Sequence, residues 1–219
     1  MVVSQLINQS IPALDLLDAV AFALESMEEY RIGQMAIVNN GQYVGLASEN
    51  ILLESPDDRV LLSRLLPQHQ DHYCLENQHI YECIGLVQQH QLEVIAVLDE
   101  SLNYLGTVQT NDLYREFIAM TGNKESGAIL VLNLQRRDYS LSEICRLIEQ
   151  NDIKVISSFY SDSNDEFGQL TLKLNGREIS GVVATLERFG YSISATYSSE
   201  ALQSTERDRL DMLMHYLNI

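Results

Sequence analysis

Four residues whose side chains commonly bind zinc lie within eleven positions of one another. They are His69, His72, Cys74 and His79, and imidazole and thiolate are the usual ligands of structural zinc. Their spacing fits no standard zinc framework, and the stretch around them is polar and lies between two more periodic segments. We therefore predict that these residues belong to a solvated linker and that the chain has no metal site.

A second polar group resembles a calcium loop in composition only. It contains Asp162, Asn164, Asp165 and Glu166, but Phe167 stands where the turn of a calcium loop needs glycine. We predict a charged hairpin tip instead.

The sequence also lacks a P-loop, a dinucleotide-binding glycine pattern and a nucleophile elbow. No catalytic residue is predicted, and an enzyme is the class of protein with the least support.

The charge balance bears on the kind of partner. The chain has 14 Lys and Arg against 31 Asp and Glu, a formal net charge of -17, and such a charge repels phosphate backbones and anionic lipid surfaces. We therefore expect neither nucleic acid nor membrane as a partner.

The first twelve residues do not resemble a secretory signal, and the three cysteines are odd in number, which favours a reducing, cytoplasmic location.

An internal repeat of about 60 residues organises the first half of the chain. Gly45 and Gly106 are 61 positions apart, Ala36 and Ala96 are 60 apart, and an apolar helix face upstream repeats at the same offset. A single turn residue inserted in the second copy explains the difference. Each copy is predicted to contain a helix, two strands and a second helix.

The second half has a different pattern. Residues 121–127 have the composition of a linker, and the segments that follow alternate as strand, helix, strand, strand, helix and strand. This order predicts a four-stranded antiparallel sheet with both helices on one face. A last helix should place Leu210, Leu213, Met214 and Leu217 on one side. The predicted domains are 1–66 and 67–122 for the two repeats, 127–200 for the second fold, and 204–219 for the C-terminal helix.

The repeated unit, with its apolar-Gly-apolar step before the last helix, resembles a tandem CBS pair, also called a Bateman module. The second half is similar to an ACT-like domain, and the combination resembles the acetoin-utilisation regulator type of protein. The resemblance implies an α+β fold: a CBS-domain pair of two α-β-β-α repeats, then a ferredoxin-like βαββαβ domain and a C-terminal helix.

The resemblance also implies where a ligand would bind. CBS pairs that bind adenosine nucleotides place Ser or Thr three residues after the glycine and Asp three residues later; hydroxyl and helix N-terminus hold phosphate, and the carboxylate binds the ribose hydroxyls. The first copy has Ile51 in place of that Asp, and the second has Gln109 in place of that hydroxyl. Alternatively, Ser48 and Thr110 only cap helices and Asp112 is a solvated first-turn carboxylate. The candidate ligand-binding residues are Gly45, Ser48, Gly106, Thr107, Gln109, Thr110 and Asp112.

A separate candidate site follows from the resemblance of the second half. Amino-acid-binding ACT domains have a small residue, usually glycine, just before their first helix. This chain has Arg136, Arg137, Asp138 and Tyr139 there, followed by a Ser140 capping sequence. The adjacent arginines could bind an anionic ligand or could make surface ion pairs.

The function implied by the resemblance is regulatory and non-catalytic. A small effector, with AMP, ADP, ATP or S-adenosylmethionine as candidates, would bind the CBS pair and change its arrangement, and an unidentified partner protein would respond. A homodimer is expected, because CBS pairs commonly associate through their helices. Two alternatives remain open: a ligand-free dimerisation or interaction module, and an amino-acid sensor acting through the ACT-like domain.

Overall fold

The computed structural model describes residues 1–65, 67–162 and 166–198. The chain divides into two compact units, Met1–Phe117 and Ile118–Ile219, and each is described by itself. The predicted C-terminal helix at 204–219 and the centre of the predicted hairpin tip lie outside the described residues. Among the residues that are described, no helix is both long and apolar enough to cross a membrane.

The first unit contains two copies of one arrangement, as the repeat predicts. Each copy has a three-stranded sheet in which a short leading strand runs parallel to the central strand and the last strand runs antiparallel to it. The first copy consists of β1 (Leu14–Asp15), α1 (Val20–Tyr30), β2 (Gln34–Asn39), β3 (Gln42–Ser48) and α2 (Glu49–Leu52). The second consists of β4 (Tyr73–Leu75), α3 (Ile80–His90), β5 (Val94–Leu98), β6 (Tyr104–Gln109) and α4 (Thr110–Met120).

Both copies contain the same irregularity opposite the repeated glycine. The register shifts between Ile37 and Val38 in the first copy, where Ile37 faces Gly45. In the second copy it shifts between Val97 and Leu98, where Val97 faces Gly106. A bulge increases the local twist of a strand, so each copy bends at its glycine just before the final helix.

Two expectations from the local sequence are wrong. Pro67 predicts the end of a short helical piece from Arg59 to Leu66, but its described residues contain only a three-residue 3-10 turn, Leu62–Arg64. Asp15 or Asp18 would be expected to cap α1, but the N-cap position is Ala19 and makes no side-chain hydrogen bond. The carboxylate of Asp18 instead accepts from the backbone N–H of Asp15 at 2.7 Å.

Apolar side chains from both copies form one continuous core in the first unit. Met35 and Ala36 of β2, Ile95 of β5, and Ala23 and Cys83 of the preceding helices are all fully buried in it. The central strands β2 and β5 also contact each other. The two repeats therefore fold as one body, because neither has a hydrophobic core separate from the other.

The segments that lead into each copy are exchanged between the copies. Asn8, which precedes the first copy, bonds through its N–H to the carbonyl of Thr107 in β6 at 2.9 Å. Gln68, which precedes the second copy, exchanges two backbone hydrogen bonds with Leu46 in β3, at 2.7 and 3.0 Å. The last strand of each repeat therefore forms backbone hydrogen bonds with the segment that precedes the other repeat.

The second unit has the predicted element order and sheet. Four strands lie in the order β10-β7-β9-β8 and all pairs are antiparallel. Alternate residues of β7 and β9, such as Leu132 and Leu172, are fully buried beneath the helices together with Leu147 and Leu186. The elements are β7 (Ile129–Gln135), α5 (Leu141–Glu149), β8 (Val155–Asp162), β9 (Phe167–Leu174), α6 (Ser180–Arg188) and β10 (Ser192–Tyr197).

Candidate ligand site

Gly106 lies where the N-terminal segment crosses β6. Its φ is +154°, a value that side chains rarely allow. A Cβ built on Gly106 would collide with the side chain of Ile7, so glycine is required for the close approach as well as for the backbone angle. The N-terminal segment thus lies directly over the glycine of the second copy.

The Thr107 hydroxyl is buried within the first unit. Only 1% of the residue is exposed, and its Oγ1 shares a hydrogen bond of 2.7 Å with the hydroxyl of Tyr104. Burial raises the pKa of Tyr104, while this hydrogen bond opposes the rise. Thr107 therefore positions Tyr104, and its hydroxyl is already engaged within the protein.

Gln109 and Thr110 lie at the junction between β6 and α4. The backbone N–H of Thr110 donates to the carbonyl of Glu93 at 2.9 Å, and its hydroxyl donates to the carbonyl of Leu92 at 2.7 Å. The hydroxyl therefore ties the start of α4 to the segment before β5. Gln109 is the last residue of β6 and is half-buried, so its amide is the side chain available at the position where the nucleotide-binding pattern has a hydroxyl.

Asp112 lies in the first turn of α4 and is paired with a cation. Its Oδ1 is 2.7 Å from a guanidinium nitrogen of Arg115, one turn along the same helix. The Asp112 side chain is 22% exposed and the Arg115 side chain 70%, so the carboxylate is partly solvated and is paired with an exposed cation. The pair places an acceptor and a positive charge side by side at a helix N-terminus.

The corresponding residues of the first copy are less suited to a ligand. The Ser48 hydroxyl makes no capping hydrogen bond, which contradicts the predicted cap, and it instead donates to Oε1 of Gln68 at 3.5 Å. Helix α2 has four residues, too few for an appreciable dipole. Gly45, with φ of +153°, is covered by the segment that begins at Pro67.

The seven candidate residues therefore divide between two places within the first unit. Gly106, Thr107, Gln109, Thr110 and Asp112 follow one another through the end of β6 into α4. Gly45 and Ser48 occupy the equivalent place in the first copy. Sequence reasoning missed Tyr104 and Arg115, although the recurrence of tyrosine at 43 and 104, 61 positions apart, was a usable signal.

The second unit contains the other candidate site. Arg136–Asp138 form a 3-10 turn between β7 and α5, and an Arg136 guanidinium nitrogen lies 3.9 Å from Oδ2 of Asp162. The Tyr139 ring stacks on Tyr160, with centroids 4.7 Å apart. A cavity of about 630 Å³ lies beside this turn, lined by Gln135, Arg136, Arg137, Glu166 and Phe167.

The zinc-binding residue types in the connection between repeats do not form a solvated linker, which corrects that prediction. Cys74 lies in β4 and is buried, and His79 accepts from the N–H of Tyr81 at the start of α3. His69 and His72 instead pack with His90, the last residue of α3. No three donors among the described His, Cys, Asp and Glu residues are arranged to hold a metal ion.

Comparison with solved structures finds similar proteins, whereas comparison of the sequence does not. No family model and no curated protein matches the sequence. A crystal structure of a CBS domain pair/ACT domain protein from Thermotoga maritima shares 22% identity over 54% of this chain and 98% of its own, with a TM-score of 0.51. The CBS domains of a transcriptional regulator from Streptococcus pneumoniae share 15% identity over 52% and 98%, with a TM-score of 0.49.

A third structure, of CBSX2 in complex with AMP, shares 14% identity over 54% of this chain and 96% of its own, with a TM-score of 0.47. Identities this low bear on the fold alone. Together with the two repeated sheets and the bulged glycines, the match to the Thermotoga maritima structure establishes the fold of a CBS-domain pair in an α+β chain. The prediction of a CBS-domain fold is confirmed, and the ACT-like assignment of the second unit stays a prediction.

Proposed function

We propose that the protein is a non-catalytic regulator whose CBS pair binds an adenosine nucleotide at the start of α4. The observation that supports the proposal is the Asp112 carboxylate, held by Arg115 at 2.7 Å in the first turn of that helix. Asp112 stands six residues after Gly106, at the position of the ribose-binding Asp in the nucleotide-binding pattern. The two ribose hydroxyls would donate to this carboxylate, which is a strong, charge-assisted arrangement.

Arg115 and Gln109 supply the interactions that a phosphate group needs in this acidic chain. A net charge of -17 repels a nucleotide at long range, so a local cation has to offset it. The guanidinium of Arg115 is largely exposed beside Asp112, and the Gln109 amide can donate a hydrogen bond in place of the usual hydroxyl. The N-terminus of the eleven-residue helix α4 adds favourable backbone dipoles.

Regulation would follow from the way the two repeats share one core. A ligand that binds one arrangement of the repeats better than another shifts the population toward it. A coupling free energy of about 1 to 3 kcal/mol is enough for a useful switch.

We propose that the protein acts as a cytoplasmic homodimer and that a partner protein binds differently to its ligand-bound and ligand-free states. Phe22 and Tyr81, on α1 and α3, are about half exposed and offer apolar contacts for association.

The direct test is nucleotide binding by calorimetry and thermal unfolding of the full chain, with AMP, ADP, ATP and S-adenosylmethionine. A ligand present at a hundred times its dissociation constant should stabilise the protein by about 2.7 kcal/mol. Replacing Asp112 by Asn should weaken binding by about tenfold or more, since it removes charge-assisted hydrogen bonds. The matched control is Glu49→Gln, which neutralises an exposed first-turn carboxylate in the other repeat and should leave affinity unchanged.

Two results would count against the proposal. If Asp112→Asn and wild type bind the nucleotide equally, the site is elsewhere. If no adenosine compound binds, the interaction-module alternative gains support, and sedimentation analysis of Phe22→Ser and Tyr81→Ser would then test association through α1 and α3.

The second unit supports a second candidate function, as an amino-acid sensor. Its cavity of about 630 Å³ falls within the range of small-molecule sites. The lining includes Arg136 and Arg137 and also Glu166, so it offers charges of both signs to the carboxylate and ammonium groups of an amino acid. Thermal unfolding with a panel of amino acids, in wild type and Arg137→Gln, would detect such binding separately from the nucleotide.

A further inference from the structure

The segment 67–72, here called the strap, lies along β3 and covers Gly45. Gln68 exchanges two backbone hydrogen bonds with Leu46, at 2.7 and 3.0 Å. A Cβ on Gly45 would lie 2.7 Å from both the Gln68 carbonyl oxygen and the Pro67 Cβ. While the strap is in this position, the Gly45 turn of the first copy has no room for another molecule on that side.

The far end of the strap is fixed by Tyr43. Its hydroxyl donates to the carbonyl of His69 at 2.9 Å and also lies 3.5 Å from the carbonyl of His72. His69 has a φ of +53°, a left-handed conformation that costs free energy for a residue with a side chain. The chain is therefore held in an unfavourable local conformation by contacts made at the two histidines.

Those two histidines form a cluster with the last residue of α3. The ring centroids of His72 and His90 are 3.7 Å apart, those of His69 and His72 5.3 Å, and those of His69 and His90 6.4 Å. Nδ1 of His72 is buried without a hydrogen-bond partner in the described part of the chain. Three imidazole rings at these distances pack well when neutral, and positive charges placed on them would repel one another.

Two titratable groups besides the imidazoles bear on the cluster. Tyr43 of β3 donates its hydroxyl to the carbonyl of His69, and Asp71 belongs to the strap and is exposed. Burial lowers the pKa of His69, and so do His72 and His90. Burial and His90 also lower the pKa of His72, while Asp71 opposes the shift.

We propose that His69 and His72, packed against His90, form a proton-operated latch, which keeps the strap over Gly45 while these two rings are neutral and releases it when they are charged. Since the folded state lowers the pKa of His69 and His72, the closed strap binds fewer protons than the open one. Its stability is complete above the ordinary histidine value of about 6.5 and falls as the pH decreases below it. The latch does not depend on the nucleotide proposal.

Hydrogen exchange of the full chain between pH 7.5 and 5.5, corrected for the intrinsic effect of pH on exchange, tests the latch. The amides of Leu46 and Gln68 should lose protection as the pH falls over this range, because the open strap binds more protons than the closed one. Amides of β7 in the second unit should keep their protection and provide an internal reference. In the double variant His69→Gln and His72→Gln, protection at Leu46 should no longer depend on pH.

The control variant is His79→Gln, which removes a histidine outside the cluster and should respond as wild type does. Should the double variant fail to fold, His90→Gln serves instead, and it should reduce the loss of protection at low pH by removing one of the repelling partners. Constant protection at Leu46 in the wild type would overturn the latch, and so would an unchanged pH response in the histidine variants.

Discussion

The backbone N–H of Gly33 donates to Oε2 of Glu93 at 2.7 Å, and the two residues occupy the same position in the two repeats, 60 apart. A second bond joins the same places, since the N–H of Glu93 donates to Oε1 of Gln34 at 2.9 Å. A Cβ on Gly33 would lie only 3.0 Å from Oε1 of Glu93. The contact between the repeats therefore depends on a position at which they differ. The first repeat has Gly33 there, and the second has Glu93, whose carboxylate accepts the Gly33 N–H.

Replacing Glu93 by Ala should test this junction. The change removes the acceptor for the Gly33 N–H and should lower the free energy of unfolding by about 1 kcal/mol, because the hydrogen bond is charge-assisted but exposed. Thermal unfolding should show a decrease in Tm of about 4 °C. The control Glu25→Ala removes an exposed carboxylate from α1 and should change stability by less than about 0.5 kcal/mol. Equal effects would mean that the junction contributes no stability.

Glycine substitutions should separate required glycines from replaceable ones. Gly45→Ala should destabilise the first unit by about 2 kcal/mol or more, because φ is +153° and the new methyl group meets backbone and proline atoms. Gly85→Ala, on α3, should stabilise it by about 0.5 to 1 kcal/mol, since nothing lies within 4 Å and alanine favours helix. Urea unfolding measures both changes, and a stable Gly45→Ala protein would contradict the described path of the strap.

A third prediction concerns the missing hydroxyl of the nucleotide-binding pattern. Changing Gln109 to Thr restores it and should increase affinity for an adenosine nucleotide by several-fold, because the short Thr side chain loses less conformational entropy than the Gln109 amide when it makes the same hydrogen bond. Gln70→Thr, on the exposed strap, is the matched control. Calorimetry on both variants would refute this role for position 109 if their affinities proved equal.

The three cysteines should differ in reactivity. Cys74 and Cys83 are buried, and a hydrogen bond to Cys83, together with burial, raises the pKa of Cys74. Cys145 is only partly buried, although burial raises the pKa of its thiol too. Alkylation followed by mass spectrometry should label Cys145 first, increasingly at high pH. Labelling of Cys74 at the same rate, without unfolding, would contradict its buried place in β4.

The repeat and most strands of the three sheets could be predicted from the sequence because their signals are local. The offset of 60 residues and the spacing of apolar residues around Ala36 and Ala96 are visible in one chain. By contrast, β1 and β4 have two and three residues, too few for a pattern to appear. These strands form only because a neighbouring central strand has hydrogen-bonding groups left unpaired.

The site was harder to predict because residue type and spacing do not show which side chains are already engaged within the protein. Thr107 has a hydroxyl group of the kind that binds ligands, but that hydroxyl already shares a hydrogen bond with the Tyr104 hydroxyl across the bulge. The histidine cluster needs His90, 18 positions beyond His72, and no spacing rule connects a strap to the end of a helix. Arg115 was visible at helical spacing from Asp112, and an i,i+3 pair could have been proposed from sequence.

The exchange of leading segments determines which fragments of this protein keep all the strand neighbours of the first unit. A piece that starts after Gln9 would lose the neighbour of β6, which belongs to the other repeat, and a piece that stops at residue 65 would lose the neighbour of β3. Neither repeat is thus a self-contained module for expression or for transplantation into another protein. The shortest useful fragment contains both repeats with both leading segments, and unfolding of the first unit should be a single cooperative event.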